Sequence, residues 1–563
     1  MGFAPVLLTR HPADPNYNLA GMMEAARERV GSSFPPPVIL RQVPAVTTWK
    51  SACAIIESCL SHGVREFVVC AGARNAALVE VLARAEAAGL ARVWRHFEER
   101  GAGFFALGRT MATGEACAVV TTSGTAVAEL LPAVIEAYYQ GRPLLALTAD
   151  RPERFRGTGA PQAISQPGIF GEHAGSGDLA EWRHRGPWHW NVELEEDFAP
   201  DGWEPPAPVD FQTPAHPNFS VAALARWLRE DIFRGLVVMI GDLEPEDHEP
   251  VFHFCLDLGV PVAAEATSGL REALGELALP DPDRMLREQP PGKVLRLGGV
   301  PSGRFWRDLE DLPETEVYNI TRTGLPGLAR ACETITSPVA RVIKGLGDVE
   351  KAGDALDYFR RTSRRTAEIE DLLEAYPDSE PGLLRVLSVY ASTGSSLYLG
   401  NSLPIREWNL FAQRDKPVTD VRANRGANGI DGQISTWLGW TADVEDSWCL
   451  VGDLTALYDL AAPAWLGQIE RKGRVLVVVN NGGGQIFSRL PRLEAMSERA
   501  KDMMLNPHEV RLDGWAAMWG MKYLRIENDA GFDALEPGET PLLVEILPDA
   551  AESAAFWKAW DAR

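Results

Sequence analysis

Two apolar runs constrain the chain most: Ser447-Trp-Cys-Leu-Val-Gly452 and Arg474-Val-Leu-Val-Val-Val479. The first ends in Gly452-Asp453, and the second runs into Asn480-Asn481-Gly-Gly-Gly. A segment of helix length, 455–471, lies between them. Strand, helix, strand in that order calls for a crossover, so the strands are expected side by side and parallel. Asp453 and Asn481 then both fall at carboxyl ends of strands, although 28 positions separate them. Open parallel sheets bind ligands at those ends. A carboxylate, an amide oxygen and the carbonyls of a glycine-rich turn make a hard-oxygen set, suited to a magnesium ion that also holds phosphates. The same residue types cap helices and close turns with no metal nearby, so this stretch alone leaves both readings open.

A chain of 563 residues is too long for one core, and two to four domains are expected. Its net charge of −23 argues against nucleic acid and anionic membranes as general partners. Any anionic ligand must therefore be met by locally placed Arg or Lys. Seven cysteines are scattered with no CxxC pair, which reads as reduced core thiols in a cytoplasmic protein. No apolar run has the length of a membrane span, and residues 1–8 lack the basic start and full apolar stretch of a secretory signal.

Residues 1–45 read as an extension, rich in proline near 32–37, with a short amphipathic helix at 19–30. From Thr47 onward the pattern is strand and helix in alternation. The predicted fold class is α/β, three doubly wound parallel-sheet units spanning 46–197, 198–375 and 376–563. Within the first unit, 126–139 is expected to be one helix, and 152–220, dense in Gly, Pro, Trp and His, to be loop and connection. In the second, 317–320 and 339–343 are expected to continue the βα series.

Each outer unit has a candidate constellation. In Trp94-Arg-His-Phe-Glu98-Glu99-Arg100-Gly-Ala-Gly, Glu99 sits where a strand gives way to a helix, with small residues after it that permit close helix packing. An acid there can also do no more than satisfy free helix N–H groups. Thr121-Thr-Ser123-Gly124-Thr-Ala126 is a second strand-to-helix turn, small enough to approach a ligand or to be a plain N-cap. In the third unit, Gly400-Asn-Ser402-Leu-Pro-Ile-Arg406 follows a strand, and Ala423-Asn-Arg425-Gly-Ala-Asn-Gly-Ile430-Asp-Gly432 is a glycine-dense loop. Arg74, Arg151, Arg406 and Arg425 each sit in or beside such a turn, which in an acidic protein suggests carboxylate recognition. The histidines show no ligand spacing, there is no Walker A motif, and Gly345-Leu-Gly347-Asp-Val-Glu350 is not GxGxxG.

Gly-Asp followed by Asn-Asn at this spacing resembles the signature of thiamine-diphosphate enzymes. The longer strings resemble one family among them, the 2-succinyl-5-enolpyruvyl-6-hydroxy-3-cyclohexene-1-carboxylate synthases. They are Phe97-Glu-Glu-Arg-Gly, Thr122-Ser-Gly-Thr-Ala-Val, Leu147-Thr-Ala-Asp-Arg-Pro, Gln166-Pro-Gly-Ile-Phe, Gly400-Asn-Ser-Leu, Asn424-Arg-Gly-Ala-Asn-Gly-Ile-Asp-Gly, Gly452-Asp-Leu-Thr-Ala-Leu-Tyr-Asp-Leu and Gly484-Gln-Ile-Phe-Ser. The resemblance runs from about residue 47 to 550. It implies decarboxylation of 2-oxoglutarate and addition of the resulting succinyl carbanion equivalent to isochorismate, with thiamine diphosphate and Mg2+ (or Mn2+). It implies that Glu99 hydrogen-bonds the aminopyrimidine of the cofactor. Asp453, Asn481 and the Gly483 carbonyl would hold the metal, and Ile430 would support the bent cofactor. Ser123, Gly124, Gly452, Leu454, Gln485 and Ile486 would complete the cofactor site. Arg74, Arg151, Gln162, Arg304, Ser402, Arg406 and Arg425 would bind substrate carboxylates and hydroxyls, with Ile486, Phe487 and Leu490 as an apolar wall. The family also implies a homodimer or homotetramer with sites between subunits, and no nucleic-acid or membrane-embedded partner. Ala73, Pro161 and Phe305 depart from the family's pattern on the acceptor side. Two other readings stand beside this one: a different thiamine-diphosphate carboligase or 2-oxo acid decarboxylase, and a non-catalytic cofactor-binding module. A pyruvate enzyme needs no arginines for a distal carboxylate, and a mere binder needs no Glu99.

Overall fold

The strand–helix alternation resolves into three sheets in which every pairing is parallel. The computed structural model describes residues 47–563 except 197–198, 208, 231–234, 352–355, 392–393, 417, 419, 491–492 and 494. The extension 1–45 and its helix at 19–30 lie outside the described residues. The sheets all belong to one unit, Thr48–Arg563.

The first sheet holds β1 (Glu66–Cys70), β2 (Arg92–His96), β3 (Cys117–Thr121), β4 (Leu144–Asp150), β5 (Gly175–Ser176) and β6 (Trp188–Glu193), in the order β2-β1-β3-β4-β6-β5. The second holds β7 (Leu236–Ile240), β8 (Val262–Ala264), β9 (Lys293–Leu297), β10 (Glu316–Thr321) and β11 (Glu333–Thr336), in the order β11-β10-β9-β7-β8. The third holds β12 (Ser396–Leu399), β13 (Asp420–Arg422), β14 (Ser447–Gly452), β15 (Val475–Val479), β16 (Lys522–Ile526) and β17 (Leu542–Ile546), in the order β13-β12-β14-β15-β17-β16. Numbered within its own sheet, the third repeats the strand order of the first. Each of those two sheets reverses its winding between its first and third strands. A crevice at the carboxyl ends there is where doubly wound sheets take ligands. Central strands such as Val475–Val479 and Leu542–Ile546 are buried along their whole length, as parallel strands covered on both faces must be.

β14 and β15 are neighbours in register from Trp448↔Val475 to Gly452↔Val479, as the sequence predicts. Asp453 and Asn480-Asn481 therefore leave adjacent strand ends. The small residues after Glu99 also act as expected. The helix Glu99–Thr113 lies against Gln433–Trp440, and a Cβ on Gly108 would stand 2.1 Å from the Thr436 carbonyl oxygen. A Cβ on Gly439 would stand equally close to the Phe105 carbonyl oxygen. Only glycines allow backbones to meet this closely. This contact joins the first and third sheets, and Arg109 fastens it with bonds to Glu66 and to the Gly439 carbonyl.

Four expectations need correction. The segment 126–139 is two helices, Thr125–Ala128 and Leu131–Gln140, because Pro132 has no N–H to continue the first and suits the start of the second. The stretch 152–220 is not all connection, since β6 pairs with β4 from Leu145↔Trp188 to Asp150↔Glu193. Residues 339–343 belong to a helix, Val339–Leu346, launched after Pro338, and the strand is the preceding Glu333–Thr336. The segment 455–471 is a short helix starting at Asp453 itself and ending at Tyr458, then a 3₁₀ turn, Ala462–Gly467, opened by Pro463.

Candidate active site at two strand crevices

In the third sheet, Asp453 opens a helix at the end of β14 and is buried. Its Oδ1 accepts from Leu454 N–H at 2.6 Å and its Oδ2 from Gly483 N–H at 2.8 Å, so the two strand ends are tied together. Burial lifts its carboxyl above the usual range despite those N–H bonds. Gly483 holds φ +139°, and a Cβ there would stand 2.5 Å from the Leu505 carbonyl oxygen, so this turn requires glycine. Its own carbonyl accepts from Gln485 N–H. Gly452 faces open space, and Leu454 is half-buried beside it. Asn481 donates from Nδ2 to Glu380 Oε2 at 2.9 Å, while its Oδ1 is buried with no hydrogen-bond partner. A buried carboxylate near an unsatisfied buried amide oxygen fits a hard divalent cation, which would satisfy both. Among the described residues no three His, Cys, Asp or Glu side chains cluster as a metal site, and this donor set has a single carboxylate.

Across the crevice, Ser402 follows β12 with φ +77°, a strained backbone for any residue but glycine. Its carbonyl accepts from Arg406 Nη1 at 2.5 Å. Burial, and then the neighbouring charge of Arg425, push the Arg406 guanidinium below its ordinary value. Glu265 and Asp283 act in the opposite sense. Arg406 lines a cavity of about 620 Å³ with those two acids, Arg304, Ile486 and Leu490. Phe487, one residue past Ile486, is exposed and does not line that cavity. Arg304 is exposed and pairs loosely with Asp308 at 3.4 Å. Phe305 is fully buried in the core of the second sheet, while Arg307 lines the cavity one helical turn after Arg304. Arg425 bonds Asn401 Oδ1 at 2.8 Å and lines a different cavity of about 520 Å³, beside Arg322 and Glu244. The loop that carries Arg425 and the half-buried Ile430 is pinned from three sides. Glu136 accepts from Gly426 and Ala427 N–H, and Asn401 and Gln433 donate to the Gly429 carbonyl.

In the first sheet the helix after β2 is capped by Glu98, whose carboxylate accepts from Arg100 and Gly101 N–H. Glu99, the first residue of that helix, is half-buried, and among the described residues its carboxylate makes no side-chain hydrogen bond or ion pair. Burial raises its carboxyl above the usual range against a bond from its own backbone N–H, and Glu98 and Glu129 add to the rise. The capping role that the sequence left open for Glu99 therefore belongs to its neighbour. At the crevice of this sheet the turns after β1 and β3 pack together, a Cβ on Gly72 falling 2.5 Å from Thr122. Ser123 is buried, and Gly124 N–H donates to Gln166 Oε1 at 2.9 Å. Gly124 holds φ +85° against Gln162, itself at φ +54°. Arg74 and Arg151 converge on one carboxylate: Arg74 Nη2 meets Glu196 Oε1 at 2.5 Å and Arg151 Nη2 meets the same oxygen at 3.5 Å. The two guanidinium groups thus already form a fork that grips a carboxylate. Arg151 also donates to the carbonyl of Pro161.

The structure thus gathers Arg74, Arg151, Gln162, Ser123 and Gly124 at one crevice, with Glu99 at the neighbouring strand end. It gathers Asp453, Asn481, Gly483, Gln485, Ser402 and Arg406 at the other. Among the described residues no hydrogen bond or ion pair joins the two groups. Sequence reasoning missed Glu380, Glu407, Glu136, Glu196 and His508, whose Nε2 lies 3.3 Å from Asp453 Oδ2. None of these sits in a recognisable string, so only the three-dimensional fold brings them in.

Residues 50–169 match the family model described as thiamine pyrophosphate enzyme, N-terminal TPP binding domain. Three similar proteins carry the name 2-succinyl-5-enolpyruvyl-6-hydroxy-3-cyclohexene-1-carboxylate synthase. The one from Akkermansia muciniphila is 48% identical over 519 residues, covering 89% of this chain and 96% of the relative. Those from Bdellovibrio bacteriovorus and Chloroflexus aurantiacus are 38% and 32% identical, covering 92% and 89% of this chain and 99% and 93% of theirs.

Proposed function

The chain belongs to the 2-succinyl-5-enolpyruvyl-6-hydroxy-3-cyclohexene-1-carboxylate synthase family of thiamine-diphosphate enzymes, and we propose that it decarboxylates 2-oxoglutarate and adds the remaining four-carbon unit to isochorismate, a step of menaquinone biosynthesis. One observation favours this reading most. A hard-oxygen set, Asp453 with the unpartnered Asn481 Oδ1, shares a strand crevice with Arg406, a half-buried guanidinium whose side chain bonds only the Ser402 carbonyl among the described residues. The first suits a metal–diphosphate, and the second suits the carboxylate of a dianionic substrate.

Bound thiamine diphosphate supplies the electron sink that lets a 2-oxo acid lose carbon dioxide. In our reading Asp453, Asn481 and the Gly483 carbonyl hold Mg2+ or Mn2+, with Gly452, Leu454, Gln485 and Ile486 around the diphosphate. Glu99 meets the aminopyrimidine with a carboxyl free to hold a proton, Ile430 supports the cofactor from the pinned loop, and Ser123 and Gly124 border the pyrimidine side. Arg406 and Ser402 take the donor. Arg74, Arg151, Gln162, Arg304 and Arg425 serve the remaining carboxylates and hydroxyls of the two substrates. Ile486 and Leu490, which line the cavity beside Arg406, exclude water from the reacting carbon, and Phe487, exposed and outside that cavity, drops out of the expected wall. Residues 46–197 form the pyrimidine half, 376–563 the diphosphate half and 198–375 the central domain. A second copy brings its own pyrimidine half to each diphosphate half, in a cytoplasmic homo-oligomer. Among the described residues no helix is long and apolar enough to cross a membrane.

The test is to supply 2-oxoglutarate, thiamine diphosphate and Mg2+ with and without isochorismate, and to follow carbon dioxide and product mass. Acceptor-dependent carbon dioxide release with a product carrying the four-carbon unit is expected. Release without any adduct, or turnover of pyruvate in preference, would point to a different 2-oxo acid enzyme.

A further inference from the structure

We infer that Glu380 is a positioning residue of the metal site, which holds the Asn481 amide by its nitrogen and thereby leaves the amide oxygen as the free donor. The inference rests on reading Asp453 and Asn481 as ligands of a divalent cation. An asparagine amide can turn either its oxygen or its NH2 toward a neighbour, and only the oxygen can coordinate. Glu380 settles that choice. Its Oε2 accepts from Asn481 Nδ2 at 2.9 Å, and Asn481 Oδ1 is left buried with no partner. Both residues are fixed by ordered elements. Asn481 follows β15, and Glu380 is the first residue of the helix Glu380–Tyr390, its backbone N–H tied to Ser553.

The neighbouring asparagine shows the same device used the other way. Asn480 donates from Nδ2 to the buried carboxylate of Glu545 and to the Val510 carbonyl, which turns it into the core. Each asparagine nitrogen is claimed by a different buried glutamate, and of the two amide oxygens it is Asn481 Oδ1 that is buried with no partner. Glu380 is itself only 4% exposed and has no arginine or lysine partner among the described residues. A buried carboxylate without a cation is costly. A divalent ion held one amide away would offset that cost. The Glu380 oxygen that accepts from the amide nitrogen would in turn raise electron density on Oδ1, as outer partners do for metal ligands. The Glu407 carboxyl lies against Glu380 from the helix that also carries Arg406, and braces it from behind.

The experiment titrates Mn2+ into protein with thiamine diphosphate and reads free Mn2+ by electron paramagnetic resonance, independently of turnover. Glu380→Met keeps the length but cannot orient the amide, and should weaken Mn2+ binding by about 10- to 100-fold. Glu380→Gln, whose oxygen still accepts from Asn481, should recover most of that loss. A second comparison separates positioning from general disruption. In an Asn481→Asp background either carboxylate oxygen can coordinate, so Glu380→Met should no longer weaken Mn2+ binding. If Glu380→Met fails to fold, Glu380→Ser, too short to reach the Asn481 amide, takes its place, with the same weakening expected and wild-type Mn2+ affinity there overturning the inference. Wild-type Mn2+ affinity in Glu380→Met, with binding lost in Asp453→Ala, would overturn the inference. Unchanged binding in Asp453→Ala would instead overturn the metal reading beneath it.

Discussion

Glu98 and Glu99 are adjacent and chemically alike, yet Glu98 is consumed by the helix end and Glu99 is not. The string Phe97-Glu-Glu-Arg-Gly cannot say which glutamate caps, because that depends on the backbone angle at which β2 enters the helix. Glu99→Gln should leave the cofactor bound while exchange of its C2 proton slows by roughly 10²- to 10⁴-fold, the usual scale of an acid–base contribution. NMR of the bound cofactor measures this, and near-normal exchange would remove Glu99 from the chemistry. Arg406 is a second test at this scale. Losing one partner of a desolvated charged hydrogen-bonded pair costs about 2–5 kcal/mol. Arg406→Ala should therefore lower kcat/KM for 2-oxoglutarate by roughly 30-fold or more, at ~1.4 kcal/mol per factor of ten. It should also reduce the preference for 2-oxoglutarate over 2-oxobutyrate, and competition kinetics with both donors would show an unchanged ratio if Arg406 is not the anchor. Asp453, Asn481 and Arg406 were legible because each sits beside a glycine-marked strand end. Glu380 was not: it lies 101 positions from Asn481 and reads in sequence as an ordinary acid in the first turn of a helix.

Among the elements, β6 is the one the sequence hid and the site needs. Trp188-His-Trp-Asn-Val-Glu193 alternates aromatic or apolar with polar residues, but it is embedded in a Gly- and Pro-rich stretch that reads as loop. Once paired with β4 it delivers Asn191, which accepts from Gln166, and Gln166 in turn holds the Gly124 turn. It also buries His189 against Thr148 at 2.9 Å. Burial pushes that imidazole down to about 4 from 6.5. The folded state therefore keeps His189 neutral while the unfolded chain takes up a proton below about pH 6.5. Its contribution is present above that pH and is lost as pH falls toward 4. Between pH 7 and pH 4 the wild type should lose on the order of 3 kcal/mol more stability than His189→Gln. Urea unfolding at the two pH values would show it, and parallel losses would mean that the histidine titrates normally in the fold. The other elements missed in sequence have plain local causes, namely Pro132 and Pro463, each opening a new helical segment where one continuous helix was expected, and Pro338, after which a helix begins where a strand was expected.

For the whole molecule, the α/β class and the existence of three parallel sheets follow from the strand–helix alternation. What the alternation does not carry is the common order of the first and third sheets, since strand order depends on crossovers that leave no local mark. That shared order gives each outer sheet a crevice of its own, one with Glu99 at the adjoining strand end and the Arg74–Arg151 fork, the other with Asp453, Asn481 and Arg406. With no polar link between the two groups among the described residues, a complete site is expected where the first crevice of one copy meets the third-sheet crevice of another. The most direct measurement mixes two variants, Glu99→Gln and Asp453→Ala, each inactive alone. In a two-fold assembly with shared sites, a mixed pair has one doubly defective site and one intact site. Co-refolded equal amounts should therefore recover about a quarter of wild-type activity. Activity no greater than that of the parent variants, in assemblies shown by differential tags to contain both chains, would mean that Glu99 and Asp453 do not serve one shared site across copies.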